Sequence, residues 1–263
     1  MAGDAVIVEQ DDDVVWVRLN RPDEMNAFTP EIFAGFIVAI EAIERSDVAR
    51  VVVITGSGRA FSTGGDLKTF RERVTGNERN LLLANLRRMK GVLRRIETSR
   101  RPYIAAVNGV AVAGGLEVIL CCDMVFAAES ARIGDGHLKF GVVPGSGSSV
   151  RLPRKLPRNI ANRLLLTGEL VSARQMMDWG LVNEVVADAD LERHTAEAAH
   201  RLACLSATGL AWIKQMTAVG LEQPLETALR NEITAFEAYS HCPDFLEGLL
   251  AFCEKREPKF GGR

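Results

Sequence analysis

A buried strand that runs through glycines into a helix occurs twice in this chain, and no other feature restricts its fold as much. In one copy, Tyr103-Ile104-Ala105-Ala106-Val107 carries small and β-branched residues without a polar break, the pattern of a short buried strand. The chain then loses bulk at Gly109 and again at Ala113-Gly114-Gly115, and becomes helix-like from Leu116 onward. Adjacent glycines at a helix start let another group approach the backbone. The first-turn N–H groups there lack partners within the helix and favour developing negative charge. Glu117 falls in that first turn. Two readings of it are open: an acid that complements the helix dipole, or a general base beside an oxyanion site. In the other copy, Val51-Val52-Val53-Ile54 leads through Gly56 and Gly58 to Ala60-Phe61-Ser62-Thr63-Gly64-Gly65-Asp66-Leu67-Lys68. Backbone donors from two separate loops could therefore converge on one oxygen.

The rest of the chain alternates strands and helices up to about residue 188. Val6–Val8 and Val14–Leu19 read as an antiparallel hairpin turned by the acidic residues 10–13. Thr29-Pro30-Glu31 is a helix start, with Thr29 as N-cap and Pro30 at the first position. The helix that follows runs to about Ser46, with Ile32, Phe33, Phe36, Ile40 and Ile43 at helical spacing. Residues 71–80 are polar and read as a loop or frayed helix, and 81–98 as a helix with a solvated basic face. Residues 122–128 and 132–134 are strands, and the small, polar 146–149 is a turn feeding a helix. Residues 158–167 and a capped segment from Ser172 to Trp179 are helical, and 181–186 is extended. After residue 189 only helices are expected, over approximately 190–205, 206–219, 224–241 and 243–256. These patterns predict an α/β chain with a βαβ-type core in residues 1–188 and a helical region in 189–263.

Composition narrows the function classes. The 263 residues are 47% hydrophobic and 25% charged with a formal net charge of −2, an ordinary globular balance that gives no reason to expect nucleic acid or an anionic membrane as partner. No apolar run approaches the roughly 20 residues that span a bilayer, and the N-terminal residues lack the basic and apolar regions of a signal peptide. The five cysteines (121, 122, 204, 242 and 253) form no C-x-x-C pair and read as reduced thiols of a cytoplasmic protein. A nucleophilic role for Cys121 or Cys122 is disfavoured by their apolar setting. His137, His194, His200 and His241 lack metal-ligand spacing, so no metal site is expected.

Three runs resemble the crotonase (enoyl-CoA hydratase/isomerase) superfamily: Phe61-x-x-Gly64-Gly65-Asp66-Leu67-Lys68, Asn108-Gly109-x-Ala111-x-Ala113-Gly114-Gly115-x-Glu117, and Gly141-Val142-Val143-Pro144-Gly145. The likeness extends over nearly the whole chain. Its combination of motifs is specific for the superfamily but not for one reaction. The resemblance implies a ββα-spiral core with a C-terminal helical trimerisation region, assembled as a trimer or dimer of trimers. It implies stabilisation of a thioester enolate or related oxyanion by the amides of Gly65 and Gly114, each donor worth about 2.7–4 kcal/mol on the scale of a side-chain oxyanion donor. It also implies that acyl-CoA, the substrate carrier rather than a resident cofactor, lies along Ala27, Ser62, Gly65, Asp66, Leu67 and Lys68. Phe252 and Lys255 match a C-terminal helix that reaches a neighbouring subunit's ligand.

Two positions depart from the superfamily's pattern. Asp23 stands just after Arg21-Pro22, where many relatives carry a lysine able to face CoA phosphates. The second departure is His137: typical hydratases carry a second glutamate twenty residues after the one matching Glu117, where this chain has Gly134-Asp135-Gly136-His137. Glu117 and His137 are read as the working pair, since histidine holds or releases a proton near neutrality. Asp135, flanked by glycines, fits a turn better than a partner role. A Glu⁻/HisH⁺ pair holds as many transferable protons as Glu⁻/GluH, so hydration of an α,β-unsaturated acyl-CoA is the expected reaction. The alternatives are a thioester or β-dicarbonyl hydrolase using Glu117 and His137, an enoyl-CoA isomerase with Glu117 as sole base, and a non-catalytic acyl-CoA-binding protein.

Overall fold

The computed structural model describes residues 4–261. It opens with the expected hairpin, β1 (Val6–Asp11) and β2 (Val14–Leu19), followed by α1 (Pro30–Glu44). Three repeats of one pattern come next: a long strand, a short strand and a helix. They are β3 (Val51–Gly56), β4 (Ala60–Ser62) and α2 (Leu67–Thr75); then, after α3 (Arg79–Thr98), β5 (Tyr103–Val107), β6 (Val110–Val112) and α4 (Gly114–Ile119); then β7 (Met124–Ala128), β8 (Arg132–Gly134) and α5 (Ser148–Lys155). The chain continues through α6 (Arg158–Thr167), β9 (Leu170–Ser172), α7 (Ala173–Asp178) and β10 (Glu184–Val186). It ends in α8 (Leu191–Ala203), α9 (Ala207–Gly220), α10 (Leu225–Ser240) and α11 (Pro243–Glu254).

Long and short strands go to different sheets. The long ones form a six-stranded sheet in the order β1-β2-β3-β5-β7-β10, parallel except for the hairpin. The short ones form a second sheet, β4-β6-β8-β9, parallel except for its last pair. Each turn of this ββα spiral thus crosses from one sheet to the other before entering a helix. The central strands β3 and β5 are buried at every residue, which is why they read as unbroken apolar runs rather than alternating ones.

Side-chain caps start several of the helices. Thr29 Oγ1 accepts from the Ile32 amide at 3.4 Å with Pro30 behind it, and α1 then buries Ile32, Phe36, Ile37, Ile40 and Ile43. Residues 71–80, read as a loop or frayed helix, are mostly helical. Asp66 caps α2 through the amides of Lys68 and Thr69 (3.0 and 3.3 Å), and α3 begins at Arg79. No residue of α2 is buried, and its apolar positions are only Leu67, Phe70 and Val74, two of them before the polar stretch that starts at Arg71. Strand β7 starts two residues later than expected, because Cys121 and Cys122 continue the turns that end α4.

The helices after β10 divide in their packing. Helix α8 lies on β2, β3, β5 and β7, with Leu191, Thr195, Ala198 and Ala199 buried against the sheet. Helix α9 packs on α3 and α10 and is pinned by the buried Lys214. Its Nζ donates to the carbonyls of Ile96 and Arg101 and to Asp123 Oδ2 (2.9, 2.9 and 2.7 Å). Beyond it, α10 and α11 meet through Phe236, Tyr239 and Phe245, while Ile233, Leu246, Leu249 and Phe252 remain exposed.

Candidate active site

The two strand–glycine–helix stretches meet face to face. On one side, β4 leads through Gly64 (φ +82°) to Gly65 and α2; on the other, β6 leads through Ala113 to Gly114 and α4. The approach leaves no room for side chains: a Cβ on Gly64 would lie 2.5 Å from the Gly114 nitrogen. A Cβ on Gly114 would lie 3.0 Å from the Gly64 Cα and 3.5 Å from the Gly65 nitrogen. The Gly65 and Gly114 amides are therefore neighbours. Gly114 occupies the first position of its helix, where no intrahelical carbonyl can accept its N–H. Ala113 supports this geometry in a conformation that alanine rarely adopts (φ 54°, ψ −116°), backbone strain of the kind that clusters at functional sites.

Two asparagine side chains brace the first arm. Asn26 donates to the carbonyls of Ser57 and Ala60 (3.0 and 2.7 Å), and Asn108 donates to that of Gly58 while accepting from the Gly56 amide (2.8 and 3.1 Å). The Ser62 hydroxyl, fully buried, donates to the Asn26 carbonyl at 2.7 Å and accepts from the Gly64 amide at 3.1 Å. Ser62 thus ties the loop that presents Gly65.

Glu117 is 4% exposed. Its Oε1 accepts from the amides of Ser146 (2.8 Å) and Ser148 (3.2 Å), which orients the carboxyl and leaves Oε2 without a partner among the described residues. Burial raises its pKa, and the charge of His137 and the two amides offset only part of that. The loop carrying Ser146 is held by Arg151, whose guanidinium donates to the Ser146 carbonyl (2.6 Å) and forks onto both oxygens of Glu97 (2.5 and 2.9 Å).

His137 sits in a short 3-10 turn after Gly136 (φ +67°), which bends the chain so that residues 135 and 137 face each other. Its Nδ1 lies 3.0 and 3.1 Å from the two oxygens of Asp135, a carboxylate with no exposed surface. Asp135 therefore sits at the turn the sequence indicates and, through it, hydrogen-bonds His137, a contact the sequence reading did not give it. Burial acts most strongly on His137 and lowers its pKa. The hydrogen bond and charge of Asp135, together with the charge of Glu117, outweigh it and hold the imidazole above its usual value.

A cavity of about 180 Å³ collects these groups. Gly65, Leu67, Gly114, Glu117 and His137 all line it, and most of its remaining wall is apolar, including Phe33, Phe70, Leu86, Met89 and Val142. The other anticipated positions lie outside it. Ala27 is half-buried between Asn26 and Phe28, Asp66 caps α2, and Lys68 is exposed on its first turn. Phe252, 84% exposed, and Lys255, the left-handed residue that ends α11, do not reach the cavity of their own chain. Asp23 is exposed in a turn. Cys121 and Cys122 are buried; burial raises the Cys121 thiol well above its usual range and pushes that of Cys122 up to about 12, which suits packing rather than attack. Among the described residues no three His, Cys, Asp or Glu side chains converge as a ligand set, and no helix is long and apolar enough to cross a membrane.

Paired amides at two touching loops, above an apolar cavity holding a buried carboxyl group, define an acyl-transforming enzyme site on a ββα-spiral scaffold. The chain belongs to the enoyl-CoA hydratase/isomerase family, whose model matches residues 9–263. It is 34% identical over 250 residues to the 1,2-epoxyphenylacetyl-CoA isomerase of Escherichia coli, with 95% of each chain covered. It is 31% identical over 261 residues to the crotonyl-CoA hydratase of Syntrophomonas wolfei, with 99% of each covered. The crystal structure of an enoyl-CoA hydratase from Bacillus anthracis superposes with a TM-score of 0.92 at 34% identity, covering 98% of this chain and 100% of that one.

Proposed function

We propose that the protein hydrates an α,β-unsaturated acyl-CoA. The observation that carries this reading is the pairing, at one cavity, of two proton-holding groups with complementary charge: Glu117 through Oε2, and His137 through Nε2, the nitrogen its bond to Asp135 leaves available. The thioester oxygen accepts from the Gly65 and Gly114 amides, which stabilises the enolate as it forms. Glu117 removes a proton from water as the water oxygen bonds to Cβ. The His137 imidazolium then gives its Nε2 proton to Cα, and 3-hydroxyacyl-CoA leaves. A proton passing from Glu117 to His137 restores the starting state. Burial makes the Glu117 carboxylate more basic, and Asp135 holds the His137 imidazole above its usual pKa, so both shifts favour these roles.

The Asp135–His137 pair also supports a second reading, a thioester hydrolase in which neutral His137 activates water. Following enoyl absorbance and thiol release on the same substrates separates the two. Hydration predicts absorbance loss without free CoA, a fall of roughly 10²–10⁴-fold in His137→Ala, and measurable hydration in His137→Glu. Free CoA released by the wild type and abolished in His137→Glu would overturn hydration in favour of hydrolysis.

In this reading the CoA carrier runs along the outside of the first arm, past Ala27, Leu67 and Lys68, over the loop and helix start that Ser62 and Asp66 brace. The exposed apolar residues of α10 and α11 support assembly as a trimer or dimer of trimers, in which Phe252 and Lys255 approach a neighbour's ligand. The five unpaired cysteines accord with a cytoplasmic setting.

A further inference from the structure

One charged group in the cavity has no part in this chemistry. Arg73, on α2, lines the cavity, and one of its terminal nitrogens is buried with no hydrogen-bond partner. A guanidinium N–H cut off from water and left without an acceptor is costly, and native structures rarely keep one without a reason. Leu67, Phe70 and Arg73 follow one another at three-residue steps, so one face of α2 runs along the cavity wall from Leu67 to Arg73. At 1.5 Å per residue, Arg73 is anchored about 9 Å further along the helix than Leu67, which itself lies just beyond the Gly65 amide. The charges acting most on Glu117 are His137 and Asp135, not Arg73, in keeping with a position away from the proton-transfer groups. Across the cavity, Asn85 of α3 also lines the wall, and its amide makes no hydrogen bond among the described residues. The surrounding wall is apolar, with Phe70, Leu82, Leu86 and Met89.

We propose that Arg73, assisted by Asn85, receives a carboxylate at the far end of the acyl chain, so that the substrate is the mono-CoA thioester of a dicarboxylic acid. This rests on the reading of the cavity as an acyl-CoA site. The planar fork of arginine fits a carboxylate with two parallel hydrogen bonds, and the apolar wall accommodates the methylenes between thioester and acid. A methyl-ended chain would leave that nitrogen buried and unsatisfied, which turns the orphaned donor into a means of discrimination.

Binding of saturated ligands tests this without turnover. Titration calorimetry would compare wild type, Arg73→Lys and Arg73→Met against C4, C6 and C8 ω-carboxyacyl-CoA, their methyl-ended counterparts and free CoA. The wild type should bind the ω-carboxy thioester of the fitting length about 10–100-fold more tightly than its methyl-ended counterpart, the scale of a hydrogen bond to a charged group. Arg73→Lys should keep part of that preference. Arg73→Met should abolish it while leaving methyl-ended thioesters and free CoA unchanged. No preference at any length in the wild type, or a preference that survives Arg73→Met, would overturn the proposal. Equal weakening of every ligand, free CoA included, would also overturn it and place Arg73 on the CoA phosphates. A preference found without any hydration would leave the proposal standing and remove only the hydratase reading.

Discussion

Adding a single methyl group at Gly115 tests whether the two touching loops set the positions of the amides. A Cβ built there lies 2.3 Å from the Ser62 carbonyl oxygen, about 1 Å short of ordinary contact, and the obstructing atom is backbone. Neither side yields easily. Gly115 lies in the buried first turn of α4, and Ser62 is tied to Asn26 and to the Gly64 amide. The strand end must shift, and Gly65, three residues on, shifts with it. Overpacking of this kind costs roughly 1–3 kcal/mol of stability. In a chain of this size that corresponds to about 2–4 °C of Tm for each kcal/mol. The catalytic cost should be larger in proportion, since a misplacement of about 1 Å lowers rates by about 10²-fold. Gly115→Ala should therefore keep its circular dichroism spectrum, melt several degrees lower, and lose about 10²-fold in kcat for loss of enoyl absorbance. Gly91→Ala is the control: nothing lies within 4 Å of that position on the exposed face of α3, and alanine there should be neutral or stabilising. A Gly115→Ala enzyme with lowered Tm and wild-type kcat would refute the idea that this contact places the Gly65 donor.

Two further outcomes are expected. Asp135→Asn removes the carboxylate that holds His137 above its usual pKa, so the imidazole loses its proton at lower pH. If hydration needs the imidazolium, activity falls as pH rises through that pKa, and the alkaline limb of the kcat profile should move to lower pH in the variant. An unmoved limb would separate His137 from the rate. Small-angle scattering at working concentration should return a trimer or hexamer mass, because Phe236, Leu246, Leu249 and Phe252 leave an apolar face open on α10 and α11; a monomer mass would contradict that assembly.

Features that depend on neighbouring residues were legible in the sequence. The apolar runs of β3 and β5, the Thr29–Pro30 cap of α1 and the two glycine-rich helix starts each follow from local chemistry, and the structure places them as read. The motifs carried the family, and the cavity gathers Gly65, Leu67, Gly114, Glu117 and His137. What escaped depends on contacts across the chain or on a reversal of direction. The amides that orient Glu117 come from Ser146 and Ser148, 29 and 31 residues away, and no local pattern announces them. Asp135 was masked by its glycine neighbours, which signal a turn. It is that turn, at Gly136, that brings the carboxylate onto His137. The polar stretch from residue 71 reads as a loop or frayed helix, so nothing local marks Arg73, although it lines the cavity and one of its nitrogens is buried without a partner.

In the proposed hydration Glu117 works as a base through Oε2. Glu117→Gln keeps the shape of the side chain and an oxygen that can still accept from the Ser146 and Ser148 amides, while removing the basic group. Steady-state hydration and calorimetric binding of a saturated acyl-CoA, measured on the same preparation, read the two consequences separately. In Glu117→Gln kcat should fall roughly 10²–10⁴-fold while affinity stays near that of the wild type. Wild-type kcat in Glu117→Gln would contradict it.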